Sequence, residues 1–292
     1  FYLPFLIAGI GMLVPWMLRQ PRESAYHPAH GRLPRCTAGI LAVLAVAGTF
    51  VHVPRLKPAE PKRDLTIVTY NMQQGSHANG NRNYREQLDL LRGLNPDIIC
   101  LQESDTARPS GGNVDAVRYL AESLGCYAYY GPGSIAGTFG AAILSRYPIK
   151  NPRTFFTYSD SDEVGTAVAD IDVGGTTIAI FSNHPAGGAQ VMNAFVHALM
   201  AEARKYAYVI AVGDYNFTAR EPYYADLSQV LQDSAAQLGE ANVNNHGGRP
   251  NLADEIDHIF LSRNFRVLES HYLPPPESQT DHPAHWSVVR IE

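Results

Sequence analysis

Apolar, β-branched stretches recur along the latter four-fifths of the chain, and each one stops at a polar cluster. Leu65-Thr66-Ile67-Val68-Thr69-Tyr70 alternates and meets Asn71, and Asp97-Ile98-Ile99-Cys100-Leu101 delivers Gln102 and Glu103. Residues 176–181 lead into Asn183 and His184, and residues 208–212 lead into Gly213-Asp214-Tyr215-Asn216. Runs of this length and composition read as buried strands. The runs 166–172 and 176–181 flank Val173-Gly174-Gly175, a hairpin signal. Three other stretches switch to a helical period. Residues 84–94 turn Leu88 and Leu91 inward, residues 115–124 stop at Gly125, and residues 189–207 space Val191, Phe195, Leu199 and Met200. Strands and helices mixed in this way predict an α/β fold, with two β-sheets packed face to face and helices outside. No internal repeat or low-complexity tract interrupts it.

The first 63 residues follow another pattern. Neither 1–18 nor 36–53 contains a charged residue, and each run is close to the lower length limit for a membrane-spanning helix. Arg19, Arg22, Arg32 and Arg35 lie between them against a single Glu23. A cleavable signal sequence is one reading, but two runs with an arginine-rich loop fit a helical hairpin better. The expected organisation is a membrane anchor over 1–53, a proline-bearing linker over 54–63 and a catalytic domain over 64–292. The chain begins with Phe1, consistent with a fragment of a longer membrane protein. The loop arginines favour a cytoplasmic loop and put the domain outside the cytoplasm, although Arg55, Lys57, Lys62 and Arg63 argue almost as strongly for the reverse.

Charge narrows the substrate. Of 23 Lys+Arg and 28 Asp+Glu, residues 1–63 take 8 and 2, which leaves 15 against 26, a formal charge of −11 over 64–292. Polynucleotide binding relies on Lys and Arg neutralising phosphates, and no basic run supplies them here. Three cysteines without a C-x-x-C spacing argue against structural zinc and give no disulfide framework.

The polar clusters carry the chemistry. To those already named the chain adds Ile256-Asp257-His258 and Thr280-Asp281-His282. Carboxylates, carboxamides and imidazoles of this kind bind hard divalent cations and activate water. Asp214 and Asn216 stand two residues apart, so an extended backbone would put both on one face. Asp257 would fix one nitrogen of His282 and favour the protonated ring. His27, His30, His52, His77, His197 and His271 read as structural, and His246, His258 and His285 stand between the two groups.

In order, Asn71, Gln102-Glu103, Asn183-His184, Gly213-Asp214-Tyr215-Asn216, Ile256-Asp257-His258 and Asp281-His282 resemble the endonuclease/exonuclease/phosphatase superfamily. The run from Gly140 to Ile149 is similar to that family's central strand. The resemblance covers about 64–292 and implies a four-layer α/β sandwich of the deoxyribonuclease I type, here in a membrane-anchored member of bacterial type. It implies Glu103 as the primary metal ligand, with Asn71 and Asp281 helping to form a Mg²⁺ or Mn²⁺ site. It makes His184, Asp214, Asn216, Asp257 and His282 catalytic and Asn183 substrate-binding. His258 and Glu255 depart from common residues at their positions, which separates this chain from the repair-enzyme branch. The expected function is metal-dependent phosphoester hydrolysis by in-line attack of water, on a lipid head group or small molecule. A nuclease is the first alternative. An inactive tethered binding module is a further one, opposed by the completeness of the set. No protein partner is expected. Candidate substrate-proximal loops are 79–83, 108–113, 185–188 and 242–250.

Overall fold

The computed structural model describes residues 39–43, 56–77, 79–105, 112–131, 139–158, 163–238, 243–245 and 254–292. The chain divides into two compact units, Phe1–Arg55 and Leu56–Glu292. In the first, residues 39–43 are helical. No helix among the described residues is long and apolar enough to cross a membrane, and the expected spans 1–18 and 36–53 lie outside the described residues apart from 39–43.

Alternation along the strands builds the second unit. Among the described residues, β1 (Asp64–Asn71), β2 (Ile98–Asp105), β3 (Tyr127–Tyr130), β4 (Phe139–Ser145), β10 (Val243–Asn245), β12 (Phe265–Leu273) and β13 (Ala284–Ile291) form a seven-stranded sheet ordered β10-β12-β13-β1-β2-β4-β3. β5 (Ile149–Tyr158), β6 (Glu163–Val173), β7 (Thr176–Asn183), β8 (Val209–Asp214), β9 (Gln232–Asp233) and β11 (Asp257–Leu261) form a six-stranded sheet ordered β5-β6-β7-β8-β11-β9. Both are mixed: β1–β2 and β7–β8 run parallel, and most other pairs antiparallel. Leu65, Ile67, Ile98, Cys100, Ile178, Ile180, Ile210, Val212, Ile259 and Leu261 meet between the sheets and exclude water.

Side chains of the opposite parity face outward under helices. On the first sheet Val68, Tyr70, Ile99 and Leu101 take Leu88 and Leu91 of α1 (Tyr84–Leu94) and Val117 and Leu120 of α2 (Ala116–Leu124). The Asp115 carboxylate accepts the Arg118 N–H and caps α2. On the second sheet Ala179, Phe181, Val209, Ala211 and Phe260 pack with α3 (Ala189–Ala203) and α4 (Pro222–Ser228), and α5 (Ser234–Leu238) follows β9. The predicted helix 189–207 ends at Ala203, because the chain turns to seat Tyr206 edge-on against Phe181.

Residues 56–63, read from sequence as part of a linker, are held on this unit. Ala59 N–H donates to the Arg146 carbonyl, Tyr147 Oη to the Glu60 carbonyl, and Lys62 pairs with buried Asp97 at 2.8 Å. Arg146 and Asp97 lie at the end where β1 begins, so the segment joins the sandwich there.

Candidate active site

Near the other end of β1, the apolar core between the sheets gives way to a polar layer. Thr69 Oγ1 donates to Gln102 Oε1 at 3.0 Å, Gln102 Nε2 to Ser182 Oγ at 3.3 Å, and Ser182 Oγ to the Leu101 carbonyl at 3.2 Å. All three side chains are fully buried, and they stitch the two sheets together. Inner-face parity then brings Asn71 from β1, His184 from the end of β7, Asp214 from β8 and Asp257 from β11 onto this floor.

Glu103 has the wrong parity for that cleft. On β2 the inner face runs Ile98, Cys100, Gln102, and a regular strand would turn Glu103 outward beside Leu101. The pairing register with β4 slips between Leu101 and Ser104, and Glu103 takes φ +46°, so an extra residue is accommodated there. A left-handed conformation at a non-glycine residue is unfavourable, and here it re-aims the carboxylate. Asn71 Nδ2 donates to Glu103 Oε1 at 3.3 Å and to Asp214 Oδ2 at 3.1 Å, while Asn71 Oδ1 accepts the Gln73 N–H. Asn71 was expected to help arrange a metal. As placed, its oxygen is committed to Gln73 and its amide group bridges two carboxylates.

Asp214 Oδ2 is the hub. Besides the Asn71 amide, it has His184 Nε2 at 3.4 Å and His282 Nε2 at 3.6 Å, with the carboxylate itself buried. His282 Nδ1 bonds Asp257 Oδ2 at 2.9 Å, as the paired reading anticipates. Burial opposes charge on His282, but the hydrogen bond and charge of Asp257, with Asp214 behind it, outweigh burial and raise the ring to about 9. Burial pushes Asp257 up to about 6, and the nearby Asp214 charge adds to that. At neutral pH the pair is therefore imidazolium and carboxylate. The loop carrying His282 is tied down by Tyr70 Oη on the Ser278 carbonyl and by Asn83 and Gln87 amides on the Gln279 carbonyl. Nothing in the sequence motifs announces these tethers.

Three expected residues are placed differently. Asn183, read as substrate-binding, has outer-face parity. It is fully buried and donates to the Phe181 and Val212 carbonyls and to Tyr215 Oη, so it braces β7 against β8. Asn216 does not continue an extended strand beside Asp214. It sits at φ +52°, exposed, with its N–H on Asp214 Oδ1 and its side-chain amide on the Pro185 carbonyl. Asp281 is exposed next to His282, where its charge helps keep that ring protonated, and its Oδ1 accepts from its neighbour Thr280. Of the candidate loops, 108–111, 242 and 246–250, with His246, lie outside the described residues.

The site also depends on Gly213. It sits at φ +156°, and a Cβ there would lie 2.0 Å from the Asn183 carbonyl oxygen. Only glycine lets β8 approach β7 closely enough to bring Asp214 beside His184.

The donor set suits a hard divalent cation. Glu103 is half-buried, only Asn71 donates to it among the described residues, and no ammonium or guanidinium pairs with it there. Ligand atoms of Asp214, Asp257 and His282 also lie within 4.8 Å of one another. Since His282 and Asp257 already bond each other, Glu103 is the carboxylate best left to hold an ion.

The family model for the endonuclease/exonuclease/phosphatase family matches residues 68–282. Protein cwh43 of Schizosaccharomyces pombe (strain 972 / ATCC 24843) is 40% identical over 170 residues, 56% of this chain but 17% of that protein's length. The fold is similar to an endonuclease/exonuclease/phosphatase from Beutenbergia cavernae DSM 12333, with TM-score 0.65 and 17% identity over 79% of this chain and 72% of that one. It is also similar to mannosyl-6-phosphatase from Bacteroides thetaiotaomicron VPI-5482, with TM-score 0.59 and 17% identity over 78% and 99% of the two chains. Two packed mixed sheets under helices, a carboxylate–imidazole cluster where their inner faces end, and a family match over most of the chain together show that it belongs to the endonuclease/exonuclease/phosphatase family, whose members hydrolyse phosphoester bonds.

Proposed function

We propose that this protein is a divalent-metal-dependent phosphoester hydrolase that acts on small phosphoesters, lipid head groups among them. The observation that carries the reading is the convergence on Asp214 Oδ2 of the Asn71 amide at 3.1 Å, His184 Nε2 at 3.4 Å and His282 Nε2 at 3.6 Å. A carboxylate held in this way orients a water for in-line attack on phosphorus and takes its proton. His184 and the protonated His282 donate to the phosphate oxygens as charge gathers on them, and Asp257 keeps the His282 ring aimed and charged. Asn216, anchored by the Pro185 carbonyl, stands at the rim nearest the incoming phosphate. A Mg²⁺ or Mn²⁺ ion held by Glu103 would neutralise phosphate and leaving-group charge.

Substrate size follows from charge. The catalytic unit carries a formal −11 over 64–292. Arginines flanking the cleft in sequence are engaged: Arg82 with the Gln74 carbonyl, Ser76 and Tyr84, and Arg220 with Asp254. Such a surface offers little to a polyanion. We keep the anchoring of the chain through 1–18 and 36–53, with the domain outside the cytoplasm, as part of the proposal. The eight-residue β1 is about 26 Å long at the usual rise per residue, and the chain enters near its far end from the site.

A chain shortened to Leu56–Glu292, with Mg²⁺ or Mn²⁺ added, tests the reading on p-nitrophenyl phosphomonoesters and phosphodiesters, phospholipid vesicles and plasmid DNA. Metal-dependent turnover of the small esters or phospholipids is the expected result. Rapid plasmid degradation with no turnover of the others would make the protein a nuclease, and activity that survives chelation would remove the metal.

A further inference from the structure

We infer that His258 and Asp233 form a second imidazole–carboxylate pair, sealed behind the cleft, that positions Asp257 and the loop after Asp214. Strand alternation sets the arrangement. Asp257 shares the inner face of β11 with Ile259 and Leu261, whereas His258 shares the helix-side face with Phe260. The ring is fully buried, and its two nitrogens each meet an acceptor. Nδ1 lies 3.0 Å from Asp233 Oδ2, and Nε2 lies 3.1 Å from the Phe217 carbonyl. A carbonyl only accepts, so Nε2 carries a proton. Asp233 Oδ1 accepts the Ala235 N–H at 2.8 Å, which leaves Oδ2 as acceptor for a second ring proton. A ring that donates at both nitrogens is an imidazolium.

The surroundings suit that charge. The rings of Tyr224, Phe260, Tyr215 and Phe217 surround it with centroids at 5.3, 5.5, 5.9 and 6.0 Å, a cage of π-faces and edges. The neighbouring His285 is different. Its Nδ1 donates to the Asp257 carbonyl at 2.9 Å and its Nε2 meets Ser270 Oγ at 3.0 Å, so a neutral ring satisfies both partners.

The buried pair joins three segments. Asp233 belongs to β9, His258 to β11 directly after Asp257, and the Phe217 carbonyl to the loop that carries Asp214, Tyr215 and Asn216. Tyr215 N–H donates to the Ile256 carbonyl and closes the circuit. With one charge of such a pair removed, the other is left uncompensated and its neighbours shift. His258 and Asp233 touch no reacting atom; they act through Asp257 and Asn216. The activity arm of the following test rests on the hydrolase reading, and the spectroscopic arm does not.

The full chain and its Asp233→Asn, Asp233→Glu and His258→Gln variants would be compared with Leu199→Ala, which loosens the same helix-side core without touching the pair. Kinetics on bis(p-nitrophenyl) phosphate with Mg²⁺ would be read beside ¹H–¹⁵N spectra of histidine-labelled protein. The wild type should show both ring N–H protons of His258 and the Nδ1–H of His282 bonded to Asp257. Asp233→Asn and His258→Gln should lose about 10–100-fold in kcat with little change in KM, as for partners that orient a reacting group. Their His282 proton should broaden or move, Asp233→Glu should recover part of the loss, and Leu199→Ala should keep kcat. A single protonated nitrogen on His258 in the wild type overturns the inference. So does a folded Asp233→Asn variant with wild-type kcat and an unchanged His282 proton. Should the variants fail to fold, the wild-type His258 spectrum decides alone. A wild type that turns over no phosphoester defeats the hydrolase reading, and the His282 resonance still tests this pairing.

Discussion

Replacing Asp257 with asparagine separates the charge on His282 from its mere presence. The substitution keeps the size of the side chain and an oxygen that can face Nδ1, 2.9 Å away, but removes the buried negative charge. That charge and its hydrogen bond are the main reasons the His282 ring is raised to about 9 from its ordinary value of 6.5. The sign is that of a raised base: the folded protein holds the proton more tightly than the unfolded chain. The contribution to stability is complete below pH 6.5 and lost as pH rises through about 9. At pH 8 a ring titrating near 9 is about nine-tenths protonated and one titrating near 6.5 about one-thirtieth, so protonation alone predicts a kcat loss of about thirtyfold. Burial would depress the unpaired ring further, so about thirtyfold is a minimum. As pH falls toward 5.5 the unpaired ring regains its proton and that part of the loss shrinks. The assay is kcat against pH from 5 to 10 on a p-nitrophenyl diester at saturating metal, with His282→Ala and the double variant measured alongside. A deficit equally large at pH 5.5 and pH 8 would refute the charge argument. Losses that add in the double variant would show that the two residues do not work as a unit.

Other residues give separate tests. Glu103→Gln keeps the side chain's shape and removes the ligand charge, so turnover should fall by orders of magnitude and Mg²⁺ affinity, read by calorimetry, should fall with it. Gly213→Ala drives a Cβ to 2.0 Å from a carbonyl oxygen. Denaturant titration should show a loss above about 4 kcal/mol, the range of severe backbone and packing defects, or no folded protein. Asn183→Ala strands the Val212 carbonyl and Tyr215 Oη and should cost about 1–3 kcal/mol of stability while leaving KM unchanged. A raised KM in that variant would return Asn183 to the substrate.

The strands, helices and two-sheet architecture were legible because buried runs and amphipathic periods leave a direct trace in composition. Glu103, His184 and Asp214 were legible because each follows such a run, and Asp257 and His282 because each stands just before one. Parity was legible too: with Ile178 and Ile180 inward, His184 faces the cleft and Asn183 cannot. Other parts depend on facts that no local pattern carries. The helix after Gly188 stops early because Tyr206 finds a seat against Phe181, a contact across the fold. Asn216 leaves the extended path because its amide reaches the Pro185 carbonyl on another loop. The two acceptors that give His258 its charge appear only once the Phe217 carbonyl and Asp233 have gathered around it.

The slipped register at Leu101–Ser104 means that the most regular version of this protein would be a blank one. Two residues of β2 stand opposite one of β4 there, and deletion of Gln102 would let the ladder run without interruption. Glu103 would then drop into the polar layer between the sheets, facing Thr69 and Ser182 instead of Asn71. A selection that scored only folding could accept that deletion, since it relieves the left-handed residue and completes the hydrogen-bond ladder. A selection for turnover would reject it at once, so this one misfit residue marks where durability and activity make opposite demands on the same strand.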